Sequence, residues 1–325
     1  MTYPVLNLAA DEERDFLGGL LPPEAAAWPR CRPALGNAEL LDTLARTRAP
    51  ILVTAWATRD LPVDLRARCP DLRYICHLTG TMRGKIPRDL IEQGLLVTNW
   101  GGSSAPTVAE HALLLTLACL RDLASHQANL HGSGWHGQGG NRSLYERRVG
   151  LHGFGMVARA LVPLLVPFRC RLAAFAPGDA DSDLAGLGVA RAASPEELYA
   201  GSDIVICLVP LTPRTQGLVG ESLFSRLRDG AVFVNVGRGK VLDETALLRH
   251  APRLAIGLDV YGEEPLPVGS PLRSLAHAVL TPHIAGPTVD RRCDAGAFCL
   301  ANIRRFLAGE PPQAVIDLPR YDQQT

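Results

Sequence analysis

An arginine, a glutamate and a histidine occupy matching places in the last third of the sequence. They are Arg238 in Asn-Val-Gly-Arg-Gly, Glu264 in Asp-Val-Tyr-Gly-Glu-Glu-Pro and His283 in Thr-Pro-His-Ile-Ala-Gly-Pro. Each follows closely on an apolar run that reads as a buried strand. In an open α/β sheet, residues just beyond the strand ends converge on one crevice. A guanidinium there can hold a carboxylate through two parallel bonds. An imidazole can give and take a proton, and a carboxylate beside it keeps the ring charged and oriented. Together the three fit the interconversion of a 2-oxo acid and a 2-hydroxy acid. Taken singly, each has a plainer reading: a surface arginine, an acidic loop residue, a histidine satisfying a carbonyl.

The elements that must position them form two β/α series. In the first, strands are predicted at 4–8, 51–55, 74–78 and 96–98, with helices near 40–46 and 88–92. Such alternation implies a parallel sheet covered by helices. A break at 100–106 (Trp-Gly-Gly-Ser-Ser-Ala-Pro) precedes a long amphipathic segment, 107–129, which Ser104 or Thr107 can cap, and a Gly- and His-rich loop, 131–141. The second series has strands expected at 149–152, 171–176, 203–209, 231–236, 254–258 and 279–281. Its helices are expected near 155–162, 196–200, 221–228 and 244–250, with Pro163 and Pro167 shortening or kinking the first. A second break at Gly286-Pro287 precedes a final helix, 289–307. The breaks suggest residues 102–287 as a nucleotide-binding domain and 1–101 with 288–325 as a smaller, discontinuous substrate-binding domain. The expected fold class is therefore α/β, two Rossmann-like doubly wound parallel-sheet domains, with hinges at both crossings and a cleft between them.

Residues 149–158 read Val-Gly-Leu-His-Gly-Phe-Gly-Met-Val-Ala, a Gly-x-Gly-x-x-Ala turn between a strand and a helix. Gly153 permits the tight turn, Gly155 lets a pyrophosphate approach the backbone, and Ala158 lets the helix pack on the sheet. The helix N-terminus then offers N–H groups and a positive dipole end to phosphates. At the end of the next strand, where an acid should meet the ribose hydroxyls, stands Ala176. Asp179, Asp181 or Asp183 could substitute from the loop; these acidic neighbours favour NAD and leave NADP open.

The segments 149–158, 207–215, 233–242, 257–265 and 281–288 together resemble the D-isomer-specific 2-hydroxyacid dehydrogenase family, over about 74–312. The resemblance implies an NAD(P)-dependent oxidoreductase in which Arg238, Glu264 and His283 are catalytic. It implies that Gly153, Phe154, Gly155, Met156, Val157, Ala176, Pro210, Thr215, Val236, Gly237, Asp259 and Ala285 line the cofactor, with Asp259 on the nicotinamide carboxamide. The substrate would lie on Arg238 and on the loop Leu78, Thr79 and Gly80. That loop departs from the family's Gly-x-Gly-x-Asp pattern: the acid is missing, and Arg83 and Lys85 stand nearby, either favouring an extra anionic group on the substrate or merely solvated. Trp56 and Trp100 end strands and would shape the pocket or pack a hinge. The long helix and following loop resemble the family's dimer contact, so a homodimer is expected. Two rivals remain: a non-catalytic nucleotide-sensing corepressor-like relative, and a formate dehydrogenase-like enzyme, which carries glutamine where Glu264 stands.

Composition agrees with a soluble two-domain enzyme. The chain has 325 residues, an apolar fraction of 47% and Lys+Arg 33 against Asp+Glu 33, for a net charge of +0. No basic tract points to nucleic acid, and no apolar run is long enough for a membrane span. The N-terminus shows no secretory signal, so the cytoplasm is the expected location. The only lysines are Lys85 and Lys240; arginine carries the rest of the positive charge. Eight cysteines show no Cys-x-x-Cys spacing and read as reduced thiols. His126, His131 and His136 lie near one another without carboxylates, a poor metal set, and no metal is expected. His111 is expected at a domain boundary and His152 buried at a strand end.

Overall fold

The computed structural model describes residues 3–135, 140–178 and 181–322. The chain forms two compact units: residues up to Ser104 together with those from Thr288 onward, and Ala105–Pro287.

The first unit is built on four parallel strands in the order β1 (Val5–Asn7), β2 (Ile51–Thr54), β3 (Tyr74–His77) and β4 (Leu96–Thr98). Every residue of β1, β2 and β3 is buried, as expected for parallel strands covered on both faces. Helices α1 (Asn37–Thr47) and α2 (Arg88–Glu92) belong to this unit. After Thr288 the chain returns to it; Ile316 N–H donates to the Val97 carbonyl at 2.8 Å. The return helix lays Cys299, Leu300 and Ile303 against Tyr74, Cys76 and Leu78 in one apolar cluster.

The second unit opens with α3 (Ala105–Leu120) and α4 (Leu123–His131). One continuous helix was expected here; the structure breaks it at Asp122, which takes the left-handed conformation at φ 47°. Seven parallel strands follow: β5 (Arg148–His152), β6 (Arg171–Phe175), β7 (Val189–Arg191), β8 (Ile204–Cys207), β9 (Val232–Asn235), β10 (Ala255–Leu258) and β11 (Val279–Leu280). Their spatial order is β11-β10-β9-β8-β5-β6-β7. The order reverses between β5 and β8, which makes the ends of those strands the place where such sheets take ligands. Strand β7 escaped the sequence reading because it is three residues long with only Val189 buried.

Helix α5 (Met156–Leu165) packs its Ala158, Leu161 and Leu165 with Ala109, Ala112 and Leu115 of α3 on one face of the sheet. Pro163 sits inside α5 without ending it, and Pro167 falls in a following turn of 3₁₀-helix. On the other face, α6 (Pro195–Gly201) and α7 (Glu244–His250) contribute Tyr199 and Leu247 to a core with Phe224 and Phe233. Burying each such side chain stabilises the unit by about 1.5–3 kcal/mol. Ser194 and Asp243 cap these two helices, accepting from Glu197 N–H and Ala246 N–H. The last long helix, α8 (Arg292–Leu307), is the return helix of the first unit. Among the described residues, no helix is long and apolar enough to cross a membrane.

Candidate active site

The glycine turn after β5 has the form that a dinucleotide requires. Gly153 holds φ +98°, and a Cβ there would lie 3.1 Å from the carbonyl group of Leu208 beyond β8. Only glycine suits that close, left-handed position. Gly155 starts α5, no side chain caps it, and a Cβ there would meet nothing within 4 Å. The first N–H groups of α5 therefore face open space, a cradle that fits a pyrophosphate. Phe154 is buried under the Arg159 guanidinium, 5.1 Å from the ring centroid, so its backbone rather than its ring borders this space. Met156 is exposed and Val157 half-buried.

Beyond β6, Ala176 is buried and its carbonyl accepts from Arg191 at 2.7 Å. Arg159 reaches Asp183 at 3.4 Å. Asp179 and the Asp181 side chain lie outside the described residues, as does His136; among the described residues no cluster could hold a metal ion. Beyond β8, Thr215 closes the loop from Pro210: its hydroxyl donates to the Pro210 carbonyl at 2.6 Å and accepts from Thr212 N–H at 2.7 Å. That hydroxyl shapes the loop expected to border the cofactor.

Arg238 is set by a residue the sequence reading overlooked. Asn235, fully buried at the end of β9, donates to the Arg238 carbonyl at 3.1 Å and accepts from Gly237 N–H at 3.0 Å. One amide thus clamps both ends of the Val236-Gly237-Arg238 turn; Val236 itself is buried. Gly239 lies against the next loop so closely that a Cβ would fall 1.8 Å from the Tyr261 carbonyl carbon. The Arg238 guanidinium donates to the Gly237 carbonyl at 2.8 Å. Burial pushes it below the usual arginine range, and the Glu264 charge opposes that shift. It stays a cation under any physiological condition.

Glu264 and His283 meet directly: Glu264 Oε2 lies 2.6 Å from His283 Nδ1. Glu264 Oε1 accepts the Tyr261 N–H at 2.8 Å, which fixes the carboxylate. A carboxylate accepts, so Nδ1 carries the hydrogen and Nε2 is the ring atom left to meet a reactant. His283 is about half exposed and takes the left-handed conformation at φ 55°, uncommon outside glycine.

Asp259, expected to meet the nicotinamide, is also bound to the loop that carries His283. It is wholly buried, and its carboxylate accepts from Thr281 Oγ1 at 2.7 Å, Ile284 N–H at 2.8 Å and Ala285 N–H at 2.9 Å. Its own carbonyl accepts His283 N–H at 2.8 Å. Burial alone would raise this carboxyl group; the bonds from His111, Thr281, Ile284 and Ala285 outweigh it and hold Asp259 below the usual range. Asp259 thus anchors the loop on which His283 and the buried Ala285 sit. His111, expected at a domain boundary, meets Thr281 and Asp259 inside the same unit.

The three residues expected to take the substrate belong to the first unit. Leu78 and Thr79 are fully buried. The Thr79 hydroxyl lies 2.6 Å from His77 Nε2, and a Cβ on Gly80 would fall 2.7 Å from the Trp100 indole. Trp56, 40% exposed, meets Trp100 edge-on with centroids 6.1 Å apart. Lys85 donates to the Thr58 carbonyl at 2.8 Å, and Arg83 to the Asp322 carbonyl at 3.1 Å while lying over Tyr321. Both cations thus bond backbone carbonyls of this unit.

A seven-stranded parallel sheet with an open glycine turn at its switch point defines a dinucleotide-binding fold, and the same unit carries the Glu264–His283 pair and Arg238. Residues 113–285 match the D-isomer specific 2-hydroxyacid dehydrogenase family, NAD binding domain, and the chain belongs to that family. It is 33% identical over 271 residues to D-3-phosphoglycerate dehydrogenase of Mycobacterium leprae, covering 82% of this chain and 50% of that one. It is 31% identical over 211 residues to hydroxypyruvate reductase of Thermotoga maritima, covering 63% and 68%. The chain spans about half the length of the phosphoglycerate dehydrogenases it matches. Among solved structures, a D-isomer specific 2-hydroxyacid dehydrogenase from Xanthobacter autotrophicus, in complex with NADPH and MES, superposes with TM-score 0.74 at 27% identity over 98% of this chain and 99% of that one.

Proposed function

We propose that the protein is an NAD(P)-dependent oxidoreductase that interconverts a D-2-hydroxy acid and its 2-oxo acid. The observation that carries this reading is the 2.6 Å pairing of His283 Nδ1 with Glu264, on a loop anchored by Asp259, with the half-buried Arg238 close enough to feel the Glu264 charge. A bound nicotinamide supplies or accepts the hydride at substrate C2. Arg238 holds the substrate carboxylate and the 2-oxo oxygen, fixing the carbonyl and stabilising charge that develops on it. In reduction, His283 Nε2 donates a proton to that oxygen as it becomes the hydroxyl; in oxidation the same nitrogen removes it. Glu264 orients the ring and balances its charge. Of the loop expected to take the substrate carboxylate, Thr79 and Gly80 would contribute backbone N–H groups, since the Leu78 N–H is held by the Thr54 carbonyl at 2.8 Å. Glutamate at 264 speaks against formate dehydrogenase-like chemistry, and the intact Arg238, Glu264 and His283 speak against a purely nucleotide-sensing role.

At the ribose end, Ala176 offers no carboxylate, while Arg159 and Arg191 stand at the edge of β6. Asp183, paired with Arg159 at 3.4 Å, would repel a 2′-phosphate, which favours NADH as the sequence suggested, while the two arginines keep NADPH in the assay. Exposed Leu114, Leu123 and Leu130 on α3 and α4 favour a homodimer through these helices.

A panel of 2-oxo acids, assayed with NADH and NADPH by loss of reduced-nicotinamide absorbance, tests the reading. With the best substrate, His283→Ala should lower kcat by about 10²–10⁴. An alanine variant as fast as wild type would remove His283 from the chemistry.

A further inference from the structure

His111 is a titratable side chain without a part in the proposed chemistry, although it bonds Thr281 beside the loop that carries His283. It is 8% exposed on α3, with Nε2 2.9 Å from Thr281 Oγ1 and 3.5 Å from Asp259 Oδ1. The Thr281 hydroxyl has a single hydrogen, and the carboxylate 2.7 Å away can only accept it. Thr281 Oγ1 therefore presents a lone pair to His111, and His111 carries its hydrogen on Nε2. The bonds run one way: His111 Nε2–H to Thr281, Thr281 O–H to Asp259. At the far end, the Asp259 carboxylate holds the N–H groups of Ile284 and Ala285, and the Asp259 carbonyl holds that of His283. The held segment includes a non-glycine residue at φ 55°, a conformation that persists when its surroundings over-determine it.

We propose that His111 is a positioning residue for the proton-transfer group, acting through Thr281 and Asp259 to fix the 283–285 loop and so the direction of His283 Nε2. The inference rests on the reading of His283 as the acid/base. Helix α3 thereby does more than pack against the sheet: its His111 reaches the end of β11 and steadies the reacting loop. Losing the first bond of this relay should loosen the orientation of His283 while leaving Arg238, the glycine turn and the substrate loop untouched. The effect belongs to turnover and not to binding.

The test compares His111→Leu, His111→Gln and Thr281→Val with wild type and with His283→Ala, using the best 2-oxo acid. Glutamine keeps an N–H near the place of Nε2, and leucine does not. The expected result is a drop in kcat of about tenfold for His111→Leu, the loss of one bond to a charged network. KM for the oxo acid should change less than about twofold, and His111→Gln should recover most of the rate. The double variant His111→Leu/Thr281→Val should be no slower than the slower single one, because both break the same relay. Thermal melts identify a variant that merely fails to fold; Thr281→Val, nearly isosteric, then carries the measurement. A His111→Leu or Thr281→Val enzyme with wild-type kcat, or multiplied losses in the double variant, would overturn the relay. If His283→Ala is also unimpaired, the acid/base reading itself fails; if His283→Ala is inactive, only the role of His111 does.

Discussion

Glu264 illustrates how much of the proposed reaction hangs on single atoms. Its two oxygens do different jobs, Oε1 on the Tyr261 N–H and Oε2 on His283 Nδ1. Glutamine offers one accepting oxygen in place of two, so Glu264→Gln must give up one of these bonds and the charge as well. We expect kcat to fall roughly 10²-fold, with the fold and dinucleotide affinity retained; stopped-flow turnover and dinucleotide titration measure the two separately. Arg238, Glu264 and His283 were legible in the sequence because each follows a strand within a few residues and because their chemistry is complementary. Asp259 was legible as a strand-end acid, but its loop-anchoring bonds were not: only the folded loop brings Thr281, Ile284 and Ala285 to its oxygens. Asn235 and His111 left no signal that a reader could separate from an ordinary strand-end amide and a helix histidine, since their partners lie across the fold.

The strands and their connecting turns explain why the site forms at all. The segments after β9 and β10 approach so closely that Gly239 has no room for a side chain against the Tyr261 backbone. Backbone cannot swing aside as a flexible side chain can, so Gly239→Ala should destabilise the protein by about 3 kcal/mol, read as a lowered midpoint in urea, and should displace Arg238. The strands with continuous apolar runs were read to within a residue or two, because parallel strands buried on both faces announce themselves. The misses have local causes. β7 is too short and too exposed to show a pattern, the α3–α4 break depends on one backbone angle at Asp122, and Pro163 is accommodated inside α5 despite its missing N–H.

Each unit of the molecule carries a histidine, His77 or His152, that burial holds neutral, and this makes the chain sensitive to acid. His77, in the first unit, is pushed to about 4 by burial, against the raising effect of its bond to the Thr81 carbonyl. His152, in the second, is likewise pushed to about 4 by burial. In the unfolded chain both titrate near ~6.5, so between these values the unfolded state binds more protons and stability rises with pH. The contribution is complete above about pH 6.5 and is lost as pH falls toward 4, at roughly 3 kcal/mol for each histidine. Denaturation midpoints at a series of pH values should fall steeply across that window, and His77→Gln should flatten the part belonging to the first unit. A pH-independent midpoint from 7 down to 4 would contradict the burial of both rings as neutral bases.

Transfer of label from cofactor to product tests the central claim most directly. Reduced nicotinamide dinucleotide carrying deuterium at C4, on the face the enzyme uses, is incubated with the best 2-oxo acid, and the product is analysed by mass, proton NMR and chiral chromatography. The account predicts one deuterium on C2 of a D-2-hydroxy acid and none washed out to solvent. A product with hydrogen from water at C2, an L-configured product, or no oxidation of the dinucleotide by any 2-oxo acid would contradict it.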